Sequence, residues 1–233
     1  TGTGFTMNGY PVRSLFSIDF KGLNKEGLPI VVNQDGEETS YGGDLYFQSK
    51  DVDYLVYEGP TDPTINGSFG NTFSYKGFKL NVFITYAAGN KVRLDPAFHS
   101  SYSDMSAMPK EFINRWTKGG DEQYTNVPVI ADYRQKQNDN YLNYLYNAYN
   151  YSTARVAKGD FIRMKEISLS YDFPSKWLMP LHVNTASLKL QATNLFLIYS
   201  DSKLNGQDPE FYNAGGVATP MPRQFTLTLR VGL

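Results

Sequence analysis

Apolar and polar residues alternate most regularly at the end of this chain, from Gln224 to Leu233. The apolar positions are Phe225, Leu227, Leu229, Val231 and Leu233. Successive side chains of a β-strand point to opposite faces, so the pattern predicts a strand with one apolar and one polar face. Its length is about that of the nine to eleven residues with which a tilted strand crosses a bilayer. By itself, the stretch fits a transmembrane barrel strand and an edge strand of a soluble sandwich equally well.

A second alternating pattern predicts a β-hairpin. Two alternating runs are separated by Lys76 and Gly77, and a two-residue connection ending in glycine is the common hairpin turn. The side chains expected on the apolar face are Phe69, Phe73 and Tyr75 in the first run, and Phe78, Leu80, Val82, Ile84 and Tyr86 in the second.

Three further stretches complete six predicted strands. The first is Ser14 to Phe20, and another runs from Ala186 to Phe196. The stretch from Phe161 to Phe173 changes phase near Glu166, which predicts a β-bulge or a strand that rises past the membrane edge.

The connections between these strands alternate in length. Regions 23–64, 89–159 and 198–222 are long, at about 40, 70 and 25 residues, whereas the other two connections have two and about twelve. In a meander of strands, alternate connections lie at opposite ends, so all long loops share one end. Outer-membrane barrels have this asymmetry, with short periplasmic turns and long extracellular loops. Aromatic residues also collect at the short-turn end, as a membrane-interface girdle would: Tyr75, Phe78, Tyr171, Phe173 and Trp177.

The region 89–159 is too long for an ordinary loop. It contains one predicted helix, which begins at Pro109, places Phe112, Ile113 and Trp116 on one face and stops at Gly119. A tyrosine-rich tract follows. The aromatic candidates for contact with a ligand or a lid protein are Trp116, Tyr133, Tyr141, Tyr144, Tyr146 and Tyr149, and packing that orders the loop is the equal alternative.

Composition narrows the function. The 233 residues carry a net charge of −1 without a basic stripe, so nucleic acid is not an expected partner. There is no cysteine, which removes disulfides, thiol catalysis and thiolate metal sites. The two histidines, His99 and His182, form no catalytic or metal-binding motif. Asp201, Asn205 and Asp208 resemble a calcium loop only weakly, because Lys203 occupies a ligand position. We therefore expect no enzyme activity, no cofactor and no metal.

Several of these segments together resemble the SusC/RagA-type TonB-dependent outer-membrane transporters of Bacteroidetes. They span nearly the whole chain in the family's order, although members commonly end in Phe and this chain ends in Leu233. The matching segments are Gly59–Pro63, Asn66–Asn71, Tyr75–Phe78, Arg155–Arg163, Ile167–Tyr171, Ala192–Phe196 and the terminal strand.

The resemblance implies an all-β fold, an antiparallel transmembrane β-barrel of about 22 strands to which residues 1–233 supply about the last six. The chain would be the C-terminal portion of the transporter, in the outer membrane with a periplasmic C-terminus. Its partners would be the plug and N-terminal strands of the same transporter, a SusD-like lipoprotein, the TonB complex and outer-membrane lipid.

The implied function is TonB-dependent import of oligosaccharides or oligopeptides. The alternatives are a soluble or cell-surface β-sandwich that binds ligands, and a passive porin or autotransporter barrel. For a transporter barrel, we expect Lys189, Gln191, Thr228 and Arg230 to face the lumen. The residues expected to face lipid are Leu188, Leu190, Phe225, Leu227, Leu229, Val231 and Leu233.

Overall fold

The computed structural model describes residues 4–46, 52–103, 105, 108–212 and 221–232. They form two compact units, Thr1–Asp62 with Lys91–Ala157 and Pro63–Asn90 with Lys158–Leu233. No helix in the described ranges is long and apolar enough to cross a membrane.

The fold is mostly β, with antiparallel sheets. The strands in chain order are β1 (Ser14–Ser17), β2 (Phe20–Leu23), β3 (Pro29–Val32), β4 (Glu38–Thr39), β5 (Val56–Pro60), β6 (Ile65–Tyr75), β7 (Phe78–Ala88), β8 (Lys91–Arg93), β9 (Val156–Lys158), β10 (Phe161–Asp172), β11 (Thr185–Ser200) and β12 (Gln224–Gly232). The α-helices are α1 (Tyr133–Asn138), α2 (Leu142–Asn150) and α3 (Ser175–Leu178). Short 3-10 helices cover Gly42–Leu45, Lys110–Asn114, Asp121–Gln123, Thr153–Arg155, Met179–Leu181 and Ser202–Leu204.

The second unit is built on a five-stranded sheet in the order β12-β11-β10-β7-β6. One register row crosses all five strands through Phe73, Leu80, Leu169, Leu190 and Leu227. Every residue in this row is apolar. On the same face, the next row toward the 76–77 turn is aromatic or aliphatic throughout, and the next row on the other side is apolar except at Asn71 in the edge strand β6. The sheet therefore carries one continuous apolar face.

The adjacent row is polar throughout. It passes through Thr72, Asn81, Ser168, Gln191 and Thr226, whose side chains point to the opposite face. Within it, the Thr72 hydroxyl lies 3.2 Å from the Asn81 amide oxygen. The alternation read from single strands thus extends across the whole sheet.

The predicted β-bulge is confirmed. In β10, Lys165 is an extra residue between Met164, which pairs with Ile84, and Glu166, which pairs with Phe83. Without the bulge, the apolar residues before and after this point would lie on opposite faces. The bulge returns them all to the apolar face.

The predicted hairpin between β6 and β7 is also confirmed. Tyr75 pairs with Phe78, and the two turn residues have positive φ, 45° at Lys76 and 87° at Gly77, as a type I′ turn requires. A side chain at Gly77 would lie 3.0 Å from the Asp172 carbonyl oxygen, so the next strand also limits this position to glycine.

The prediction of six strands in one sheet is wrong in its first strand. Residues 14–20 divide between β1, which pairs with β5, and β2, which pairs with β3. All four residues of β1 are buried, so neither face of this strand is exposed to solvent. Among the described residues, the large sheet has five strands.

The first unit shows that two of the predicted long loops are structured. Its hydrophobic core gathers Leu28 and Val31 from region 23–64 with Phe98, Leu145 and Tyr146 from region 89–159. The helix predicted from Pro109 is only the one-turn 3-10 helix Lys110–Asn114, in which Phe112 is buried and Ile113 is 78% exposed. The helical structure lies instead in α1 and α2.

The third predicted loop is partly strand, because β11 continues to Ser200; residues 213–220 lie outside the described ranges. Arg163 in β10 holds the following segment by a buried ion pair. One Arg163 amino group lies 2.6 and 2.7 Å from the two carboxylate oxygens of Asp208, which is fully buried. The same group lies 3.2 Å from the Glu210 carboxylate at the surface.

This arrangement predicts unequal roles for the two carboxylates. Asp208→Ala should destabilise the protein by about 3–5 kcal/mol, because it leaves the Arg163 charge buried without its partner. The matched control Glu210→Ala removes a half-exposed contact and should cost about 1 kcal/mol or less. Urea unfolding of the two variants measures the difference, and equal costs would contradict the buried pairing.

Candidate functional site

A cleft of about 540 Å³ lies between residues 96–101 and helix α2. Its loop side presents His99, Ser100 and Ser101, and its helix side presents Asn143 and Tyr144 among other polar groups. Among the described residues, those that line it include no Asp, Glu, Lys or Arg. The cleft therefore offers amides, hydroxyls and aromatic edges, which suit a polar ligand without net charge.

Asn150 fixes the loop to the helix. Its side-chain oxygen accepts a hydrogen bond from the Phe98 backbone N–H at 3.1 Å, and its amide nitrogen donates to the Phe98 carbonyl oxygen at 2.7 Å. Asn150 is 3% exposed, so both backbone groups of Phe98 are satisfied inside the protein. This pair of hydrogen bonds sets one wall of the cleft.

The ring of Phe98 anchors the same wall from below. It stacks on Phe112 with 5.0 Å between the ring centroids. The guanidinium of Arg155, whose side chain is buried, lies 4.7 Å from the Phe98 ring centroid. Arg155 also pairs with Glu111 at 2.7 Å and donates to the Asp95 carbonyl oxygen at 3.0 Å. The buried Arg155 charge is thus paired with a carboxylate while the side chain holds residues 95–98 in place.

A second buried arginine supports the far end of α2. Arg93 donates to the carbonyl oxygens of Phe16 and Ser152 at 2.7 and 3.2 Å and to the Ser17 hydroxyl at 2.9 Å. Its guanidinium lies 5.5 Å from the Tyr151 ring centroid. Burial lowers the pKa of Arg93 to about 10. The side chain joins β1 to the chain that leaves α2.

Two of the six aromatic candidates are core residues. Tyr146 and Tyr149 are 1% and 2% exposed, and their hydroxyls donate to the carbonyl oxygens of Val129 and Asn126. Burial raises the pKa of both phenols. These two residues therefore pack in the core, which is the alternative to contact with a ligand or a lid protein, although Tyr146 also lines the cleft.

The other four candidates occupy different places. Tyr144 lines the cleft and packs edge-on against Tyr46, which also contacts Tyr141. Tyr133 is 75% exposed at the start of α1 and does not line the cleft. Trp116 packs over Gly27 and donates to the Glu122 carboxylate at 3.0 Å, which is a structural role. Of the six aromatic candidates, Tyr144 and Tyr146 therefore line the cleft and the other four do not.

Sequence reasoning did not place Asn143 and Asn147 at a site. The two lie four residues apart, which is the spacing of side chains on one helix face, but this signal has meaning only once α2 is recognised as a helix. His99, which the sequence suggests is simply exposed, also lines the cleft.

The weak calcium-loop pattern does not form a cation site. Asp201 accepts backbone hydrogen bonds from Lys158 and Lys203, and Asp208 pairs with Arg163. Among the described residues, no group of three or more His, Cys, Asp or Glu is placed to hold a metal ion.

The sheet separates the other predicted residues by face. Lys189 pairs with Thr228, Ser187 with Arg230, and the Lys189 ammonium lies 3.8 Å from the Glu166 carboxylate on the polar face. Gln191 shares that face. The apolar face carries Leu188, Leu190, Phe225, Leu227, Leu229 and Val231, and Leu233 lies outside the described residues. Contact of either face with lipid or lumen stays a prediction.

No family profile matches the chain. The chain is 27% identical over 191 residues to TonB-dependent receptor P39 of Formosa agariphila, an alignment that covers 77% of this chain and 17% of the receptor. It is 24% identical over 215 residues to TonB-dependent receptor P3 of the same organism, covering 89% and 19%. The chain spans less than a fifth of the length of these relatives.

Solved structures give the same fold. The chain superposes on a RagAB peptide transporter with a TM-score of 0.67 at 20% identity, covering 98% of this chain and 24% of that one. The open-open state of the RagAB peptide importer gives a TM-score of 0.66 at 20% identity, with the same coverage. The predicted resemblance to SusC/RagA-type TonB-dependent transporters is confirmed.

The hydrogen bonds of Asn150 generate a prediction for the cleft. Asn150→Ala leaves the buried N–H and C=O of Phe98 unpaired and should cost about 1–3 kcal/mol of stability. Asn147→Ala is the matched control on the exposed side of the same helix and should change stability by less than about 0.5 kcal/mol. Hydrogen exchange at the Phe98 amide should accelerate in the first variant alone. An unchanged rate would remove the role assigned to Asn150.

Proposed function

We propose that this chain, which is similar to part of a SusC/RagA-type TonB-dependent transporter, is the C-terminal portion of a barrel that imports oligomeric nutrients across the outer membrane. The observation that carries the proposal is the apolar face that runs unbroken across five strands. Three relatives named as TonB-dependent receptors support the same function.

The exposure of the apolar face favours contact with lipid. Phe73, Leu190, Phe225, Leu227 and Leu229 are each more than half exposed. An apolar surface of this extent is rare on a protein in water and marks a surface that another phase or protein covers. In a transmembrane barrel, that phase is the hydrocarbon of the bilayer.

Strand length also favours a barrel over a sandwich. β6 and β7 have 11 residues each, β10 has 12, β11 has 16 and β12 has nine. A tilted membrane-spanning strand needs about nine to eleven residues, whereas strands of globular proteins usually have about five or six. The soluble sandwich has no comparable support.

The topology supports an orientation. The 76–77 turn marks one end of the strands. At this end, β7 and β11 begin and β6, β10 and β12 end. The long connections join the strands at the opposite end. By the rule for outer-membrane barrels, the end with the turn and the C-terminus is periplasmic, and the long connections are extracellular.

On this proposal, the remaining barrel strands and the plug come from the rest of the transporter, and a SusD-like lipoprotein covers the extracellular side. The TonB complex supplies the energy for import. The substrate is an oligopeptide or an oligosaccharide. The similarity to the RagAB peptide importer supports the first, and the cleft described above accepts either. Tyr144 and Asn143 are the proposed ligand contacts.

The proposal predicts opposite responses on the two faces of β12. In the full-length transporter, Leu229→Arg should place a charge in the bilayer and destabilise the barrel by about 2–4 kcal/mol. Thr226→Arg, which lies opposite Gln191 on the polar face, should be tolerated in the lumen. Heat-dependent gel mobility of the refolded protein reports both changes. Equal damage would remove the lipid and lumen assignment.

The orientation predicts which cysteine substitutions can be labelled in intact cells. A maleimide that cannot cross the outer membrane should label Asn143→Cys, because this exposed position belongs to a long connection. It should label Lys76→Cys only after the cells are lysed. Labelling of Lys76→Cys in intact cells would reverse the topology.

A further inference from the structure

The connection between β10 and β11 exposes large apolar side chains outside the sheet. Trp177 is 54% exposed, Met179 is 73% exposed and Leu181 is 69% exposed. Leu178 between them is 6% exposed and fixes the short helix to the protein. The three exposed side chains are therefore held in place rather than carried on an unstructured turn.

These side chains continue the apolar face of the sheet. The Trp177 ring centroid lies 6.4 Å from that of Phe173 and 6.5 Å from that of Tyr171. Tyr171 belongs to the apolar face, where its ring lies 4.5 Å from Phe78 and its backbone pairs with Leu188. The apolar surface thus extends beyond the last register row onto the connection.

Basic side chains border this extension. Lys176 is exposed beside Trp177, and Lys76 lies in the neighbouring turn with its ammonium 5.2 Å from the Tyr75 ring centroid. Within the described residues, Lys79 pairs with Asp172, whereas neither Lys76 nor Lys176 forms an ion pair. Aromatic rings beside lysines are typical of the layer where lipid headgroups meet the acyl chains.

We infer that residues 174–182 form a membrane-interface anchor in which Trp177, Met179 and Leu181 insert among the headgroups of the periplasmic leaflet. Lys176 lies where it contacts lipid phosphate. The inference rests on the proposed function, since it takes the apolar face of the sheet as the lipid-facing surface. The partner is the phospholipid leaflet because the exposed apolar residues are continuous with that surface, and because the neighbouring Lys76 and Lys176 carry positive charge, which complements phosphate.

Depth-dependent fluorescence quenching in lipid vesicles tests this placement. The full-length transporter carries the single cysteine Met179→Cys, to which a fluorophore is attached. It is folded in phosphatidylcholine vesicles that contain some phosphatidylglycerol. Lipids with a doxyl quencher near the headgroup should quench the fluorophore more strongly than lipids with the quencher near the end of the acyl chain. A fluorophore on Leu190→Cys, in the middle of the apolar face, should show the reverse order. One on Asn143→Cys should be quenched by neither.

The Leu190 reporter separates two kinds of failure. If it lies deep in the bilayer while the Met179 reporter is accessible only to a water-soluble quencher, the anchor is wrong and the proposed barrel stands. That result would point to a periplasmic protein as the occupant of the connection. If the Leu190 reporter is also outside the lipid, the proposed function fails and the anchor with it.

Charged substitutions give an independent measurement. Met179→Asp combined with Leu181→Asp should lower the equilibrium constant for folding into vesicles about tenfold, because two apolar side chains lose their contact with lipid. Asn184→Asp, an exposed polar position on the same connection, should leave the constant unchanged. Met179→Leu should also have no effect. A double variant that folds as well as the parent protein would overturn the anchor.

Discussion

The structure depends on agreement in side-chain phase between neighbouring strands. A sheet can show one apolar face only when every strand places its apolar residues in register with those of the next strand. β6, β7 and β12 meet this condition by alternation alone, whereas the pairing of β10 with β11 shifts register between Ile162 and Arg163 and between Met164 and Glu166. In β10, the extra residue Lys165 restores the phase against β7. A regular β10 would turn either Ile162 and Met164 or Leu169 and Tyr171 to the polar face.

The first unit is stabilised in a different way. It has short strands and little regular sheet, so its polar groups are satisfied by side chains rather than by long ladders. Arg93, Arg155 and Asn150 are all buried and together make hydrogen bonds to four backbone carbonyl oxygens and one backbone N–H. Each bond joins segments far apart in sequence. This network holds the loop and helix that frame the cleft, so the cleft is a product of tertiary contacts.

The two units therefore present surfaces of opposite character. The sheet offers a wide apolar face, and the first unit offers a small cleft whose described lining residues carry no Asp, Glu, Lys or Arg. The proposed function uses both, since a transporter barrel must be stable in a bilayer and must recognise a cargo in water. Arg163 and Asp208 show how a charged pair serves the second unit, by fixing the chain that follows β11 against the sheet.

The sequence by itself determined the strands of the large sheet. The period-two pattern, the 76–77 turn and the phase change near Glu166 are local patterns that can be recognised without knowledge of the fold. It did not determine where Ser14–Phe20 pairs, since alternation identifies a strand and not its partner. It also did not reveal α2, whose many tyrosines and asparagines have modest helix propensity. Only the tertiary structure made that segment a helix, by burying Leu142, Leu145, Tyr146 and Tyr149 in one core, and so placed Tyr144 at the cleft and Tyr149 in the core.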